Sequence, residues 1–347
     1  MRILVAGFGR VGRTLAAGLV RDRERLRARY GLDLGLAGVV TSRETWIPTA
    51  ETPRDELLRG LTGESVARLP GRHEPWSAGE AIERVGADLL VEATSGSLET
   101  GEPGFGNVRA ALDRGMHVAA ASKAAFVHHW AEIAELAAIR GREVRVGAAA
   151  GAALPTIDLA RYGLVGAAVE SADAILNGTS NYILTKMGEH GTTFAESLRD
   201  AREIGAAEAD PRMDVEGIDT ACKLVIIANA ALGGRLRLGD VEVAGITALD
   251  PSDLERAAAR GRTIRLLGTL RRTGDAWRAR VEPTPLRATH PLAHVAGFDK
   301  GISYLTDTMD RITVVGGSSS PAGAAAALLR DIVNIGMVSL RIRRPPR

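Results

Sequence analysis

The chain has 347 residues, of which 45% are hydrophobic and 25% are charged, with 44 Lys and Arg against 42 Asp and Glu. This is an ordinary globular composition that supplies a core for about two domains, and it excludes intrinsic disorder and a coiled coil. The net charge of +2 argues against a dedicated nucleic-acid binder, which would carry a basic face.

The single cysteine, Cys222, allows no intrachain disulfide, so a reducing compartment is the default expectation. No run of about 20 uninterrupted apolar residues predicts a membrane span. The apolar start at Ile3–Ala6 is too short for a signal peptide, because glycines follow it at once. We therefore expect a cytoplasmic protein with no nucleic-acid or membrane partner.

The first 150 residues alternate strands with helices. After the strand at Ile3–Ala6 and a glycine-rich turn, leucines at helical spacing predict a helix to about Tyr30, which Gly31 ends. The further predicted elements are strands at 34–41, 88–93 and 116–121, a helix at 107–114, and an Ala-rich helix that ends at Gly141. This alternation predicts an α/β fold, a Rossmann-type doubly wound parallel sheet.

The pattern changes after about Gly147, where residues 146–155 form a run of small residues. One helix has clear ends: Asp250 can cap it, Pro251 takes its first position, and Gly261 follows its expected last residue at 260. The predicted strands are 170–176, 242–248, 264–271 and 277–281. We expect a dinucleotide-binding domain at 1–150, an α+β substrate and dimerisation domain at 151–310, and a segment at 311–347 that returns to the first domain.

A dinucleotide-binding turn is predicted at the start of the chain. The sequence Gly7-Phe8-Gly9-Arg10-Val11-Gly12 lies between a strand and a helix, where glycines permit a tight turn and close approach of a pyrophosphate to the helix N-terminus. The alternative is a glycine-rich turn without a ligand. Four polar residues at the ends of later strands point toward the same crevice: Thr94, Ser95, Ser122 and Lys123.

The end of the second strand favours NADP over NAD. An acidic residue there would accept the ribose hydroxyls of NAD, but Thr41, Ser42 and Arg43 occupy this place and Asp33 lies at the opposite end. A hydroxyl and a guanidinium suit a 2′-phosphate. The alternative is that Arg43 is a solvated surface charge.

The second half carries a charged pair on an apolar helix. From about Ile218 the sequence is apolar nearly all round, which predicts a buried helix after a loop, and Asp219 and Lys223 lie four residues apart on one face of it. Only four of the 44 cationic residues are lysines, and a lysine can be tuned to exchange a proton where an arginine cannot. A charged pair in such a place suggests a functional cleft, and the alternative is a structural salt bridge. Glu208 and Asp214, in the preceding loop, add carboxylates that could bind an ammonium group.

Metal binding and thiol catalysis are disfavoured. His128 and His129 are adjacent on a helix and point apart, and we expect His290 and His294 to pack among apolar neighbours. Cys222 lies within the apolar helix, where a thiol is unreactive.

Five segments, taken in order, resemble homoserine dehydrogenase, and they cover nearly the whole chain. They are the glycine-rich turn, Ala121-Ser122-Lys123, the stretch from Asn177 to Leu184, the stretch from Ala209-Asp210-Pro211 through Asp219 to Lys223, and Pro283-Thr284-Pro285-Leu286 with His290-Pro291-Leu292. The length is similar to the short form of the family, without a regulatory or kinase domain.

The resemblance implies a reaction and roles for individual residues. It implies NAD(P)-dependent interconversion of L-homoserine and L-aspartate 4-semialdehyde by a homodimer, in threonine, isoleucine and methionine biosynthesis. Lys223 would exchange a proton with the substrate oxygen, Asp219 would orient it, and Lys123 would line the site. The substrate would be held by Thr179, Glu208, Asp214 and Asp219, while Gly205 and Gly323 would lie near the cofactor.

The sequence departs from the family at several places. The family has Asn where Ser122 stands, its glycine-rich loop before Pro155 is Ala-rich here, and the turn from Gly317 to Gly323 has fewer glycines. Gly147 occupies the place of a glutamate that helps to hold a monovalent cation, so we expect no metal. Two alternatives stay open: another Rossmann oxidoreductase of a small amino or hydroxy acid, and a non-catalytic NADP(H) sensor.

Overall fold

The computed structural model describes residues 1–49, 52–63, 65–317 and 319–343. The chain divides into two compact units, one made of Met1–Ala152 together with the chain from Ser320 onward, the other of Ala153–Ser319. The strand at Arg311–Gly316 pairs within the second unit, so the prediction that the chain leaves this unit at residue 311 placed that strand in the wrong unit.

The first unit contains a seven-stranded sheet. Its strands are β1 Arg2–Ala6, β2 Gly35–Val40, β3 Thr45–Ile47, β4 Arg72–Glu74, β5 Leu89–Glu92, β6 His117–Ala120 and β7 Val144–Arg145. The order is β4-β3-β2-β1-β5-β6-β7, parallel from β2 to β7, with β3 and β4 antiparallel at one edge. Strand β1 has β2 on one side and β5 on the other, so the ligand crevice of this doubly wound fold lies at the carboxyl ends of β1 and β5.

Helices cover this sheet. They are α1 Arg10–Arg21, α2 Arg23–Tyr30, α3 Arg54–Thr62, α4 Ala78–Arg84, α5 Gly104–Asp113, α6 Ala124–Arg140 and α7 Gly147–Gly151, with a 3-10 turn at Val66–Arg68. Leu15 and Leu19 of α1 are buried in the core against Ile3 and Val5 of β1. The apolar stripe that predicted α1 is therefore the face that holds it to the sheet.

The predicted helix to Tyr30 is two helices. The backbone leaves helical geometry at Asp22, with φ −100° and ψ 6°, and the carboxylate of Asp22 pairs with Arg21 at 2.9 Å and with Arg25 at 3.5 Å. Leu26 is the one buried residue of α2, so little apolar contact holds α2 in line with α1.

The second unit has a mixed six-stranded sheet. Its strands are β8 Val169–Ile175, β9 Glu242–Val243, β10 Arg262–Thr273, β11 Ala276–Arg287, β12 Lys300–Thr306 and β13 Arg311–Gly316. The order is β13-β12-β8-β10-β11-β9, antiparallel except for the short β9. The helices are α8 Thr156–Asp158, α9 Gly178–His190, α10 Phe194–Glu203, α11 Arg212–Val215, α12 Ile218–Leu232 and α13 Pro251–Ala258, with a π-helical turn at Leu159–Gly163 and a 3-10 turn at Leu238–Asp240.

Two predictions in this unit need correction. The strand expected at 242–248 ends at Val243, because the chain then packs on the turn after α11: the amide of Ile246 donates to the carbonyl of Val215 at 2.8 Å. A side chain on Gly245 would meet that carbonyl at 2.4 Å, so this crossing requires glycine. The segment expected as a loop before α12 contains α11.

The long helix α14, Pro321–Arg343, belongs to the first unit. Its stretch Pro321–Ser339 is long and apolar enough to span a bilayer by length and composition, and half of that stretch is buried inside the protein. Leu328, Ile332 and Ile335 lie in the same core cluster as Ile3. These contacts are typical of a core helix of a folded domain.

Candidate active site

The three glycines of the predicted dinucleotide turn have different surroundings. A side chain on Gly12 would meet the carbonyl oxygen of Gly7 at 2.0 Å, and one on Gly7, where φ is +98°, would meet the carbonyl of Ala93 at 2.4 Å. These two glycines are thus required by packing within the unit. A side chain on Gly9 would meet nothing within 4 Å, so this glycine leaves open space directly before helix α1.

The turn fits a dinucleotide pyrophosphate. Gly9 is the N-cap of α1 and supplies no side-chain cap, so the first amide groups of the helix stay available to an anion. Phe8 and Val11 are half-buried, while Arg10 is exposed on the first turn. An open cradle of amides before a helix is the arrangement that a pyrophosphate requires.

Glu92 ties together the ends of strands β5 and β6. Its carboxylate accepts hydrogen bonds from the amide of Thr94 at 2.9 Å, from the hydroxyl of Thr94, and from the side chain of Asn107 at 2.9 Å. Its carbonyl accepts from the amides of Ala121 and Ser122. Burial raises the pKa of Glu92, and the hydrogen bonds oppose that shift.

The predicted cofactor residues at these strand ends lie in the first unit. Ser95 is exposed directly after Thr94, and Lys123 is half-buried as the N-cap residue of α6. Gly323 lies in the first turn of α14, where its amide donates to the hydroxyl of Ser320 at 3.1 Å. Ser318, in the turn that precedes it, is outside the described residues.

The two carboxylates described next to strand β2, those of Asp33 and Glu44, are both engaged by other side chains. Thr41 closes the turn into β3, since its hydroxyl accepts the amides of Arg43 and Glu44 at 3.1 Å. The carboxylate of Glu44 bonds to Nδ1 of His73 at 2.9 Å, and Asp33, at the opposite end of the strand, pairs with Arg23 at 2.7 Å. The side chains of Ser42 and Arg43 are exposed at the tip of the turn.

In the second unit, Lys223 is held at two points. Its Nζ donates to Oδ2 of Asp219 at 2.6 Å and to the carbonyl of Leu176 at 2.8 Å. The two side chains are 14% and 8% exposed, so the pair is largely removed from water yet reachable. The sequence places them four residues apart on α12, and the structure joins them on one face of that helix.

Asn177 links this pair to a second carboxylate. Its Nδ2 donates to Oδ1 of Asp214 at 2.6 Å and to Oδ2 of Asp219 at 2.9 Å. Burial raises the pKa of Asp214, and the negative charge of Asp219 raises it further, while hydrogen bonds from Asn177 and Thr179 and the charge of Lys223 oppose the shift. Two carboxylates and one ammonium therefore meet at the end of β8.

The other predicted substrate residues, Thr179 and Glu208, differ in their position relative to this cluster. The hydroxyl of Thr179 donates to the carbonyl of Ala206 at 3.0 Å, which connects α9 to the loop after α10. Gly205 and Glu208 are exposed on that loop, and Gly205 has φ +72°. The structure thus brings Thr179, Asp214, Asp219 and Lys223 together, and it leaves Glu208 in solvent.

Lys300 is a charged residue of this site that the sequence reasoning missed. It is 1% exposed, and it lies close enough to Lys223 and Asp219 for their charges to affect its pKa. Burial, together with the smaller effect of the charge of Lys223, lowers the pKa of Lys300 to about 7, while the charge of Asp219 opposes the shift. The scarcity of lysine in the sequence was the signal that could have drawn attention to it.

The histidines and the cysteine considered above differ in their hydrogen-bond partners and burial. Nε2 of His290 bonds to Oδ2 of the buried Asp173 at 3.1 Å, so the expectation that His290 packs among apolar groups was wrong. His128 and His129 bond to separate carbonyls, those of Leu98 and Thr100. Cys222 is fully buried, and no group of three or more His, Cys, Asp or Glu suited to a metal occurs among the described residues.

The surroundings of Gly147 also differ from a cation site. A side chain there would meet the guanidinium of Arg330 at 2.9 Å and the carboxylate of Asp331 at 3.1 Å, and the Gly147 amide donates to that carboxylate at 3.0 Å. The positive guanidinium of Arg330 therefore lies next to Gly147, which disfavours a bound cation at this position.

Family models match both units. A model described as homoserine dehydrogenase, NAD binding domain, matches residues 7–147, and one described as homoserine dehydrogenase matches residues 155–333.

Individual relatives agree over nearly the whole chain. The homoserine dehydrogenase of Methanocaldococcus jannaschii is 34% identical over 340 residues, which cover 96% of this chain and 98% of that protein. The NAD(+)-dependent homoserine dehydrogenase of Pseudomonas canavaninivorans is 33% identical over 96% of both chains. The crystal structure of a homoserine dehydrogenase from Thiobacillus denitrificans matches with a TM-score of 0.84 at 28% identity, over 100% of this chain and 76% of that one.

Proposed function

This chain belongs to the homoserine dehydrogenase family, and we propose that its Lys223 carries the proton of that family's reaction. The reaction interconverts L-homoserine and L-aspartate 4-semialdehyde, a CH–OH oxidation in the biosynthesis of threonine, isoleucine and methionine. The observation that carries the proposal is the placement of the Lys223 ammonium by Asp219 at 2.6 Å and by the carbonyl of Leu176 at 2.8 Å. Dinucleotide binding is assigned to the first unit and substrate binding to the second.

Lys223 acts on the substrate oxygen. A bound nicotinamide would supply the hydride that reduces the aldehyde carbon. As the new C–H bond forms, the π electrons of the carbonyl move to its oxygen, and Lys223 donates one proton there to give the alcohol and a neutral amine. In the oxidising direction the neutral amine accepts the hydroxyl proton. A positioned general acid of this kind contributes about 10²–10⁴-fold to the rate.

In this proposal the carboxylates of the site determine its substrate specificity. The α-ammonium of homoserine needs anionic partners, and Asp214 and Asp219 lie together at the end of β8. Burial and the neighbouring charge raise the pKa of Asp214, so an incoming ammonium stabilises the ionised form of this carboxyl. Thr179 and Glu208 complete the substrate set in this proposal, and the role of Lys123 stays a prediction of the resemblance.

NADP is the preferred cofactor in this proposal. It is supported by the exposed Ser42 and Arg43 at the end of β2, and by the hydrogen bond between Glu44 and His73, which engages the carboxylate that follows them in the same turn. A relative at 33% identity is NAD(+)-dependent, so membership of the family does not by itself assign the cofactor. The cofactor residues of the first unit in this proposal are the turn Gly7–Gly12 with Ser42, Arg43, Thr94, Ser95, Ser122, Lys123 and Gly323, and Gly205 stays a prediction of the resemblance. A homodimer and a cytoplasmic location stay predictions of the sequence.

The substrate assignment is tested by the reduction of NADP at alkaline pH with L-homoserine and with 4-hydroxybutyrate, which lacks the amino group. We expect turnover with L-homoserine and at least tenfold lower kcat/KM with the analogue, because losing one charged hydrogen bond to the carboxylates costs about 1.5–3 kcal/mol. Turnover of a different small hydroxy acid without homoserine activity would move the protein to another oxidoreductase. NADP binding without turnover of any such acid would favour a sensor.

A further inference from the structure

His73, on strand β4, lies between two hydrogen-bond acceptors. Its Nδ1 is 2.9 Å from Oε2 of Glu44, and its Nε2 is 2.9 Å from the carbonyl oxygen of Leu69. An ionised carboxylate and a carbonyl can only accept hydrogen bonds, whereas a neutral imidazole carries a single N–H group. The ring therefore makes both hydrogen bonds only as an imidazolium.

Glu44 belongs to the turn that carries the proposed NADP contacts. Its carbonyl accepts from the amide of Thr41 at 2.9 Å, and its amide donates to the hydroxyl of Thr41 at 3.1 Å, so these two residues close the turn. Ser42 and Arg43 are at the tip, and Glu44 follows Arg43 directly. A carboxylate here favours the ribose hydroxyls of NAD and repels a 2′-phosphate. The charge of Glu44 therefore opposes NADP binding unless another group compensates it.

The core of the first unit fixes the backbone that orients His73. Trp46 of β3, which is fully buried, lies opposite His73, and its Nε1 donates to the carbonyl of Pro70 at 3.1 Å. A side chain on Gly71, where φ is +144°, would meet the indole of Trp46 at 2.7 Å, so the chain passes close to this ring. The carbonyl of the buried Leu69 is thus a fixed acceptor that directs the other side of the imidazole toward the turn.

Glu44 is the described residue whose charge acts on His73. The neighbours Arg72 and Glu74 point to the opposite face of β4, because side chains alternate along a strand, and they pair with each other. The residue of β3 opposite His73 is an uncharged tryptophan, and Arg68 of the preceding 3-10 turn is exposed. The side chains of His73 and Glu44 are 31% and 26% exposed, so water screens this pair only in part.

We propose that His73 is a positioning residue for NADP, whose imidazolium holds and neutralises the Glu44 carboxylate and so leaves Ser42 and Arg43 to bind the 2′-phosphate. The inference rests on the cofactor preference of the proposed function. Without His73, the carboxylate would be released to pair with the neighbouring guanidinium, to repel the phosphate, or to accept the ribose hydroxyls of NAD. Each of these outcomes weakens NADP binding relative to NAD binding.

The cofactor preference then depends on pH. The hydrogen bond to the Leu69 carbonyl, with a smaller effect of Glu44, holds the pKa of His73 above its usual value, although burial opposes the shift. Below that pKa the imidazolium holds Glu44, and as the pH rises through it one of the two hydrogen bonds is lost. The 2′-phosphate changes in the opposite sense, because its second pKa is about 6 and its charge grows with pH. A decline in NADP affinity above neutral pH therefore reports on His73.

NMR titration of the imidazole groups tests the proposal without turnover. The chain has seven histidines, and the signal of His73 is assigned by its absence in His73→Phe or by its change in Glu44→Gln. We expect saturating NADP to raise the pKa of His73 by about 1, which corresponds to tenfold tighter binding to the protonated form, because proton and ligand binding are linked reciprocally. NAD should leave this pKa unchanged. Equal effects of the two cofactors would overturn the proposal, and the wild-type titration decides this even if His73→Phe does not fold.

The binding test compares His73→Phe, Glu44→Gln and the double variant by fluorescence titration with NADP and with NAD. We expect His73→Phe to weaken NADP binding about tenfold at neutral pH and to change NAD binding little, because an uncompensated carboxylate remains beside the phosphate site. Glu44→Gln should keep NADP affinity and remove its decline at alkaline pH. In the Glu44→Gln background, His73→Phe should cost nothing more, because the carboxylate is already gone. An equal loss in both backgrounds would show that His73 only supports the fold of the turn, and would overturn the proposal.

Glu74→Gln is the matched control, because it removes a carboxylate from the same strand that pairs with Arg72. This variant should keep the wild-type NADP affinity at every pH, and a tenfold loss in it would contradict a specific role of Glu44. Arg43→Ala separates the inference from the proposed cofactor preference. Unchanged NADP affinity in Arg43→Ala would reject the NADP assignment itself, whereas a loss in Arg43→Ala with wild-type affinity in His73→Phe would reject only the role of His73.

Discussion

Substitutions at two glycines of the dinucleotide turn distinguish a loss of stability from a loss of cofactor binding. A methyl group on Gly12 would lie 2.0 Å from the carbonyl oxygen of Gly7, so the β1–α1 turn must shift to accept it. Overpacking of this kind costs about 3 kcal/mol, which lowers the Tm of a unit of this size by about 6–12 °C. A methyl group on Gly9 meets nothing within 4 Å. Its cost is the change of an N-cap from glycine to alanine, about 1 kcal/mol or less.

We therefore expect Gly9→Ala and Gly12→Ala to lose different properties, cofactor affinity and stability respectively. We expect Gly9→Ala to fold with nearly wild-type Tm and to lose at least tenfold, or about 1.4 kcal/mol, in NADP affinity, because the methyl group occupies the space that the pyrophosphate needs. Gly12→Ala should lose stability before any cofactor is added. Differential scanning calorimetry and a fluorescence titration with NADP measure the two quantities independently.

The matched control is Gly79→Ala, in helix α4 of the same unit, where the new methyl group also meets nothing within 4 Å. This change should leave NADP affinity unaltered and raise stability by up to about 1 kcal/mol, because alanine is the better helix former. Wild-type NADP affinity in Gly9→Ala would refute the assignment of the turn as the pyrophosphate site.

Three further predictions follow from the polar contacts. Arg43→Ala should raise the KM for NADP at least tenfold and change that for NAD little, because a charged contact to the 2′-phosphate is lost; an unchanged NADP/NAD preference in steady-state kinetics would remove Arg43 from the cofactor site. Asp219→Asn should lower kcat about 10²-fold or more with little change in NADP affinity, because Lys223 loses its charged partner; wild-type kcat would contradict this. Since the pKa of Glu92 is raised by folding, its protonated form stabilises the protein at low pH and this contribution is lost as pH rises through the folded pKa. Relative to Glu92→Gln, the Tm of wild type should therefore fall from acidic to alkaline pH, and parallel Tm profiles would exclude this linkage.

The elements that sequence predicts best are those with local signals. The β1 strand, the glycine-rich turn and α12 have patterns that lie within a few residues of one another, and the structure has all three. The cap of α13 is equally local: Asp250 accepts from the amide of Ser252 at 3.0 Å. Spacing on one helix also sufficed to predict that Asp219 and Lys223 share a face.

The missed features depend on contacts between distant parts of the chain. Asn177 joins Asp214 and Asp219, which lie 37 and 42 residues further on, and no spacing rule relates them. Lys300 reaches the site because β12 pairs with β8. The strand expected at 242–248 ended early because the backbone at Gly245 packs on α11, a contact that its alternating pattern does not encode.

The proposed mechanism depends most on Lys223, and the turnover number of a Lys223 variant tests it most directly. NADPH formation from NADP and L-homoserine should fall by about 10²–10⁴-fold in Lys223→Ala, the range of a lost general acid or base, while NADP affinity stays at the wild-type value. Wild-type turnover in Lys223→Ala would contradict the proposed mechanism, whatever the protein binds.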